Sequence, residues 1–237
     1  MSRTSLFLAA LLVVPACDRG TSDEVTKSAT PKDQTNSNSA ANKTAAQSAT
    51  KSAAKPAAAM DPWKQKLDRR VLAKSGLGKD GKLTAFDIVN CESGETYCQV
   101  CRFGGSPKLM AVGQLDDEAF HEDLKDLDAI VKKYGDDKLK GFAVITEIVD
   151  GKGVTSKDVA TLQQQANALR EKLAISLPVV VPAPNEQGQN REWDEYYNIT
   201  SSRTVMFADG RNAVKYSAVG PEDFSELNTA IQSVLEG

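Results

Sequence analysis

Apolar and polar residues follow two alternating periods in the part of the chain beyond residue 60. Short apolar runs of strand length are separated by longer stretches in which apolar residues recur every three or four positions, the period of a helix. The predicted order is a β-hairpin, a strand, a helix, a strand, a helix, a strand, a second hairpin and a closing helix. Strands that alternate with helices imply a parallel core sheet that is covered on both faces.

The boundaries of these elements follow from turn and capping residues. Seven strands are predicted, over residues 83–89, 96–100, 108–115, 141–149, 177–181, 202–208 and 212–218. The first long helix is predicted to begin at Asp116 or Asp117, whose carboxylate accepts hydrogen bonds from free amides of the first turn. Thr155 or Ser156 is predicted to cap the second helix. Pro221 is predicted to open the third as its first residue.

The first 16 residues have the layout of a secretory signal peptide, with Arg3 ahead of an apolar run. The run is shorter than the about 20 residues that a membrane-spanning helix needs. Val14-Pro15-Ala16-Cys17 resembles the lipobox of bacterial lipoproteins, in which the signal is cut before the cysteine and the thiol is lipidated. We therefore expect an exported protein that Cys17 anchors to a membrane facing the periplasm or the exterior. An ordinary signal peptide without lipidation is the alternative.

Composition divides the rest of the chain in two. Residues 17–60 are rich in Ser, Thr, Ala, Lys, Asn and Gln and have almost nothing to bury, which predicts a disordered tether. Residues 61–237 hold the periodic apolar pattern and are predicted to form one folded domain. The formal net charge of the 237-residue chain is −3, so we expect no nucleic-acid partner. The expected membrane contact is made through the lipid.

One stretch narrows the choice of fold. Residues 204–220, TVMFADGRNAVKYSAVG, together with the element order and the terminal helix, resemble the thioredoxin fold. The version with an added N-terminal hairpin, found in peroxiredoxins and related redoxins, fits best over residues 83–237. The resemblance implies a thioredoxin-like α/β domain with a central mixed sheet, flanking helices and an N-terminal β-hairpin extension. Another doubly wound α/β domain is the alternative.

The same resemblance implies where the chemistry of such a domain lies. Thioredoxins place a Cys-x-x-Cys pair at the start of the helix after the first core strand, where the helix terminus favours the thiolate. Here residues 115–118 read Leu-Asp-Asp-Glu and contain no cysteine. Redoxins also have a cis-proline before the hairpin strand, and Arg203 stands at the matching position. Both departures argue against ordinary thioredoxin or peroxiredoxin catalysis.

The cysteines of the predicted domain lie earlier in the chain. Cys98 and Cys101 form a Cys-x-x-Cys pair at the end of the first hairpin, and in an exported protein such a pair is oxidised by default. Three interpretations are open: a structural clip, a redox-active pair, or a metal site of three cysteines and one further ligand. Zinc normally takes four ligands, often from two such pairs, so we expect no metal and no cofactor. Cys91 is expected to assist a redox pair as the resolving thiol, and Arg102 to favour the Cys101 thiolate.

Two classes of function follow from these residues. The first is an extracytoplasmic thiol–disulfide protein that acts through Cys98 and Cys101, with Cys91 assisting, on the thiols or disulfides of other proteins. The second is a redox-inactive binding or scaffolding module with a structural disulfide. A shared fold does not separate them, because function depends on the site.

Overall fold

The computed structural model describes residues 61–237, so the predicted signal peptide, lipidated cysteine and tether lie outside the described residues. The helices are α1 Pro62–Asp68, α2 Gln99–Arg102, α3 Glu118–Tyr134, α4 Val159–Leu173 and α5 Ser225–Glu236, with a π-helical turn at Glu192–Tyr196. The strands are β1 Asp87–Asn90, β2 Thr96–Cys98, β3 Lys108–Gly113, β4 Lys140–Ile145, β5 Glu147–Val149, β6 Lys152–Val154, β7 Val179–Pro182, β8 Thr204–Ala208 and β9 Val214–Val219. No helix in this part of the chain is both long and apolar enough to span a bilayer.

Seven strands form one mixed sheet in the order β2-β1-β7-β4-β3-β8-β9. The three central strands β7, β4 and β3 are parallel, whereas β8 and β9 form an antiparallel hairpin beside β3. β1 and β2 form the predicted N-terminal hairpin, and β1 pairs antiparallel with β7. This arrangement makes β2 the last strand at one edge of the sheet.

The core has two layers because alternate residues of each strand point to opposite faces of the sheet. On one face, Leu109 and Ala111 of β3 pack against apolar residues of α3, α4 and α5. On the other face, Met110 and Val112 pack with Trp193 and with buried residues from the segment before β1. The predicted covering of both faces is therefore present, although the three long helices all contribute to one layer.

The junction between β3 and α3 follows the predicted capping chemistry. The Asp117 carboxylate accepts hydrogen bonds from the amides of Ala119 and Phe120, at 3.1 and 3.2 Å. The Phe120 ring lies directly against Gly113 at the end of β3, where a Cβ atom would collide with it. Close contact between strand end and first helical turn fixes how α3 leaves the sheet.

The strand predicted over residues 141–149 is wrong in its second half. β4 ends at Ile145, and β5 pairs with β6 in a separate two-stranded sheet. The residue between them is Thr146, whose hydroxyl donates to the Val154 carbonyl at 2.9 Å and accepts from the Trp193 indole N–H at 3.0 Å. These side-chain bonds hold the chain at the point where it leaves the main sheet.

The predicted starts of the later helices are also wrong. Asp158 caps α4, because Thr155 and Ser156 are engaged elsewhere, by the carboxylates of Asp194 and Glu147 respectively. α5 begins at Ser225, four residues after Pro221. The return strand predicted over residues 96–100 ends at Cys98 instead, and the single-turn helix α2 follows it.

Candidate functional site

Cys98 and Cys101 form a disulfide at the junction of β2 and α2. Cys98 is the last residue of β2 and the N-cap of α2, and Cys101 lies in the single turn that follows. The two Cα atoms are 5.2 Å apart, within the usual range for bridged cysteines. The abrupt change from strand to helical turn brings two residues three positions apart into bonding distance.

The two sulfur atoms of this disulfide have different surroundings. Cys101 is exposed, whereas Cys98 is half-buried and packs against the apolar layer that contains Trp193. The backbone amide of Cys101 donates a hydrogen bond to Cys98 Sγ at 3.1 Å. A donated hydrogen bond favours a thiolate over a thiol. The pair therefore has one accessible sulfur and one sulfur prepared to hold negative charge.

A shallow groove of about 710 Å³ runs beside the disulfide. It is lined by both cysteines and by Glu95, Thr96, Tyr97 and Arg102. The Arg102 guanidinium lies 4.7 Å from the centre of the Tyr97 ring and 3.9 Å from the Glu95 carboxylate. Its charge is thus shared between an aromatic face and a carboxylate at the groove, and the expected effect on the Cys101 thiolate stays a prediction.

The third cysteine of the domain, Cys91, is buried, with 4% of its surface exposed. It packs in the layer that contains α3 and α4, on the opposite face of the sheet from Cys98. Cys98 pairs with Asp87, and Cys91 lies four positions after Asp87 along the chain, roughly 13 Å at the rise of a strand. Burial raises the pKa of the Cys91 thiol to about 12, although the nearby charge of Arg170 acts in the other direction. Its assisting role stays a prediction, and at neutral pH its thiol is protonated in this fold.

The start of α3, where the resemblance implies a cysteine pair, contains a capping and ion-pair arrangement. His121 Nε2 lies 2.9 Å from the carbonyl oxygen of Leu115, and Asp117 caps the helix. Arg203 forms two hydrogen bonds with the Asp123 carboxylate, at 2.7 and 3.0 Å, and one with the Pro221 carbonyl at 3.2 Å. The hydrogen bonds that Arg203 donates to the Asp123 carboxylate raise the pKa of the guanidinium above its ordinary value.

Arg203 has a backbone φ of +58°, a conformation that residues other than glycine rarely adopt. No cis peptide bond occurs in residues 61–237. Within the same range, no group of three or more His, Cys, Asp and Glu side chains is arranged to hold a metal ion. The arrangement at α3 fixes the loop before β8 to the helix, and it contains no cysteine.

Sequence reasoning missed the residues that form the groove around the disulfide. The sequence pattern predicts only that Thr96 and Tyr97 belong to a hairpin strand, yet both residues line the groove beside Cys101. The available signal was an aromatic residue directly before a Cys-x-x-Cys pair. The position of β2 at the edge of the sheet required the pairing of β1 with β7, which joins segments about 90 residues apart and is not visible in a local pattern.

Comparisons with known proteins find similarity in structure only. A scan against protein-family models finds no match, and a search of curated proteins finds no relative. Similar solved structures include a thiol-disulfide isomerase from Corynebacterium glutamicum, with a TM-score of 0.52 and 13% identity over 67% of this chain and 97% of that one. The thioredoxin domain of a thiol-disulfide oxidoreductase from Bacteroides vulgatus has a TM-score of 0.51 and 13% identity over 67% and 99% of the two chains.

A third similar structure is a putative thiol:disulfide interchange protein DsbE from Chlorobium tepidum, with a TM-score of 0.50 and 16% identity over 67% of this chain and 99% of that one. Each of the three chains matches almost along its whole length, so the likeness covers an entire domain rather than a shared motif. At these identities the likeness concerns the fold alone. Residues 61–237 form a thioredoxin-like α/β domain with a central mixed sheet flanked by helices.

Proposed function

We propose that this protein is an extracytoplasmic thiol–disulfide exchange protein that reacts through the Cys98–Cys101 disulfide. The observation that carries the proposal is the asymmetry of the pair: Cys101 is exposed, and Cys98 Sγ accepts the Cys101 amide hydrogen bond. Exchange requires an accessible sulfur to attack and a leaving sulfur that tolerates negative charge. Both requirements are met at one surface position.

The proposed exchange transfers two electrons from a partner dithiol to the pair. A partner thiolate attacks Cys101 Sγ, the Cys98–Cys101 bond breaks, and Cys98 leaves as a thiolate held by the Cys101 amide. The second partner thiolate then attacks the partner sulfur of the mixed disulfide and releases Cys101. The partner becomes a disulfide, and its two protons pass to the two cysteines. The reverse sequence, in which the Cys98 and Cys101 thiols are oxidised to the disulfide, reduces a partner disulfide to a dithiol.

The decisive experiment is an exchange assay on the domain of residues 61–237 with a dithiol probe. We expect the wild-type domain to exchange at a measurable rate, and Cys101→Ser to remove the reaction because the attacked sulfur is gone. The reduction potential of the pair should lie above about −300 mV, the upper bound typical of structural disulfides in secreted proteins. A pair that resists glutathione and shows no exchange would overturn the proposal.

A redox-inactive binding module is the second candidate, favoured by the ion pair at α3. Asp123 and Arg203 occupy the region where the resemblance implies catalytic cysteines and the cis-proline. Under this alternative the disulfide only clips β2 to α2. The same assay separates the two candidates, because the module predicts no exchange by wild-type protein and the same inactivity in Cys101→Ser.

We also propose that a lipid on Cys17 holds the domain at a membrane, facing the periplasm or the exterior. The support is the lipobox-like sequence of residues 14–17 and the signal-like segment before it. Mature protein should begin at Cys17 and fractionate with membranes, and Cys17→Ser should release it. Intact mass that shows an unacylated start at another residue would overturn the anchor without bearing on the exchange chemistry.

A further inference from the structure

We infer that the free edge of β2 is a docking edge for the partner, and that the partner presents its cysteine on an extended polypeptide segment. This inference rests on the proposed exchange function and names the class of substrate. It is carried by unpaired backbone groups on an edge strand that leads directly into the disulfide. Thr96 and Cys98 supply these groups.

The direction of the backbone groups follows from the pairing of β1. In an antiparallel pair, opposed residues alternate between those that exchange hydrogen bonds and those that do not. The Asn90 amide donates to the Glu95 carbonyl, so this pair is hydrogen-bonded. Ile88 and Tyr97, two positions along, are hydrogen-bonded by the same alternation. Thr96 lies between these pairs, so its N–H and C=O point away from β1.

The pairing of β1 with β7 independently confirms which backbone groups of β2 point outwards. The Asp87 carbonyl, opposite Cys98, accepts a hydrogen bond from the Ala183 amide next to β7. Asp87 therefore directs its backbone groups towards β7, and Cys98 directs its N–H away from β1. Within residues 61–237 no other strand pairs with β2. Two donors and one acceptor thus face outwards along the edge.

The spacing of residues along β2 would place a cysteine of the docked segment close to the disulfide. Thr96 and Cys98 are two residues apart, roughly 6.6 Å in a strand. A chain paired with Thr96 would continue past Cys98 towards the exposed Cys101 at the end of the same groove. The cysteine of such a chain would lie two or three residues beyond the one paired with Thr96.

The side chains of the groove indicate what flanks that cysteine. Tyr97 presents a ring covered on one side by the Arg102 guanidinium, and the charge of Arg102 is balanced by Glu95. The groove therefore has little net charge and one large apolar surface. We expect a segment with apolar or aromatic neighbours, as an unfolded exported polypeptide exposes. A second copy of this chain, paired edge to edge through β2, is an outcome that the test distinguishes.

The test compares two thiols on the wild-type domain. The first is a ten-residue peptide with one cysteine among apolar β-forming residues, and the second is 2-mercaptoethanol, which has no backbone. After correction for thiol pKa, the peptide should form the mixed disulfide about tenfold faster, the effect of roughly 1.4 kcal/mol from two or three hydrogen bonds. N-methylation of the peptide backbone near the cysteine should remove the advantage. Equal rates for the plain and methylated peptides would overturn the inference.

A variant pair tests the edge from the protein side. Thr96→Pro deletes an outward N–H that β1 does not use, a position where an edge strand tolerates proline. Since this N–H supplies one of the two or three hydrogen bonds, its loss should lower the ratio of the peptide rate to the 2-mercaptoethanol rate from about ten to about four. Thr96→Val keeps the N–H and should keep the ratio. An unchanged ratio in folded Thr96→Pro protein would contradict docking at this edge.

A measurement without exchange separates this inference from the proposed function. The same peptide with serine in place of cysteine cannot react, yet it should slow hydrogen exchange of the Thr96 and Cys98 amides. Protection of these amides without reaction by either thiol would keep the docking edge and reject the redox chemistry. Exchange with 2-mercaptoethanol but no amide protection would do the reverse. Protection that appears without peptide and grows with protein concentration would identify a second copy as the occupant and overturn the assignment to a partner.

Discussion

The starts of α3 and α2 differ in a way that bears on the candidate site. The resemblance implies a cysteine pair at the start of α3, whereas the disulfide lies at the start of α2. At the start of α3, each polar side chain described above has a partner: Asp117 with amides, His121 with a carbonyl, and Asp123 with Arg203. At the start of α2, Cys101 of the disulfide is exposed, and the buried Gln99 side-chain oxygen has no hydrogen-bond partner among residues 61–237. Satisfied groups are typical of structural positions, whereas broken local rules are more frequent at functional sites. The difference supports the proposal that the α2 turn is the site of thiol exchange, whereas the paired groups at the α3 start stabilise the fold.

The largest effect should come from a small residue that fixes α3. Gly113→Ala would force a Cβ atom into the Phe120 ring, and we expect a loss of about 3 kcal/mol in the free energy of unfolding. Gly105→Ala, in the loop after α2, is the matched control, because a Cβ atom there meets nothing within 4 Å and should change stability by less than about 0.5 kcal/mol. Chemical denaturation measures both. Equal losses of unfolding free energy in the two variants would mean that the start of α3 is no more tightly packed than the loop after α2.

Alkaline unfolding should show whether the third thiol takes part in either region. The pKa of Cys91 is raised from 9.0 to about 12 in the folded state, so its stabilising contribution is complete below pH 9 and is lost as pH rises towards 12. At pH 11 the loss is roughly 2.5 kcal/mol, at 1.36 kcal/mol per pKa unit. Cys91→Ala should flatten the stability curve between pH 9 and 11. Identical alkaline slopes would mean that the thiol is accessible, and would revive it as a resolving cysteine.

Removal of the ion pair at α3 should affect stability and leave thiol exchange unchanged. Arg203→Met leaves the Asp123 side chain, which is 8% exposed, without its guanidinium, at an expected cost of about 2 kcal/mol. Asp123→Asn combined with Arg203→Met should cost less than the two single changes together, because the pair is one unit. Thermal unfolding and the exchange assay are read on the same samples. A fall in exchange rate at unchanged Cys98–Cys101 would show that the α3 start has a redox role after all.

The smallest effect concerns the residue directly after Cys98. Gln99 is 2% exposed and its side-chain oxygen has no hydrogen-bond partner in the described part of the chain. Gln99→Leu removes this buried polar atom and should raise the free energy of unfolding by about 1 kcal/mol. Gln164→Leu, at an exposed position of α4, is a control expected to change little. A loss of stability in Gln99→Leu would mean that its oxygen has a partner in solution.

The parts of the fold that the sequence predicted are those in which neighbouring residues decide the structure. Asp117 caps α3 as expected, and the predicted second hairpin forms around Asp209. The predictions are wrong where a residue forms hydrogen bonds with a side chain far away in the sequence. Thr155 was assigned as a cap, but Asp194 accepts its hydrogen bonds, and Asp158 caps α4 instead.

The sequence predicts the disulfide of the candidate site, but it does not predict the residues that surround the disulfide. The spacing of Cys98 and Cys101 was enough to expect a disulfide in an exported protein. The half-burial of Cys98, the edge position of β2 and the contact of Arg203 with Asp123 depend on segments that are 80 or more residues apart in the chain. Such contacts are set by the tertiary fold, and no local pattern encodes them.

The disulfide closes a ring of only four residues, since the sequence separation of its cysteines is three. In the chain-entropy treatment, cross-linking so short a loop restricts the unfolded chain by only about 2 kcal/mol at 25 °C, well below what a bridge across a long loop supplies. Opening the bond frees one turn at the margin of the sheet, while both apolar layers keep their helices and aromatic residues. Under the proposed function, the domain would stay folded through cycles of reduction and oxidation, because a loss of about 2 kcal/mol is small beside the roughly 5–15 kcal/mol that keeps an ordinary domain folded.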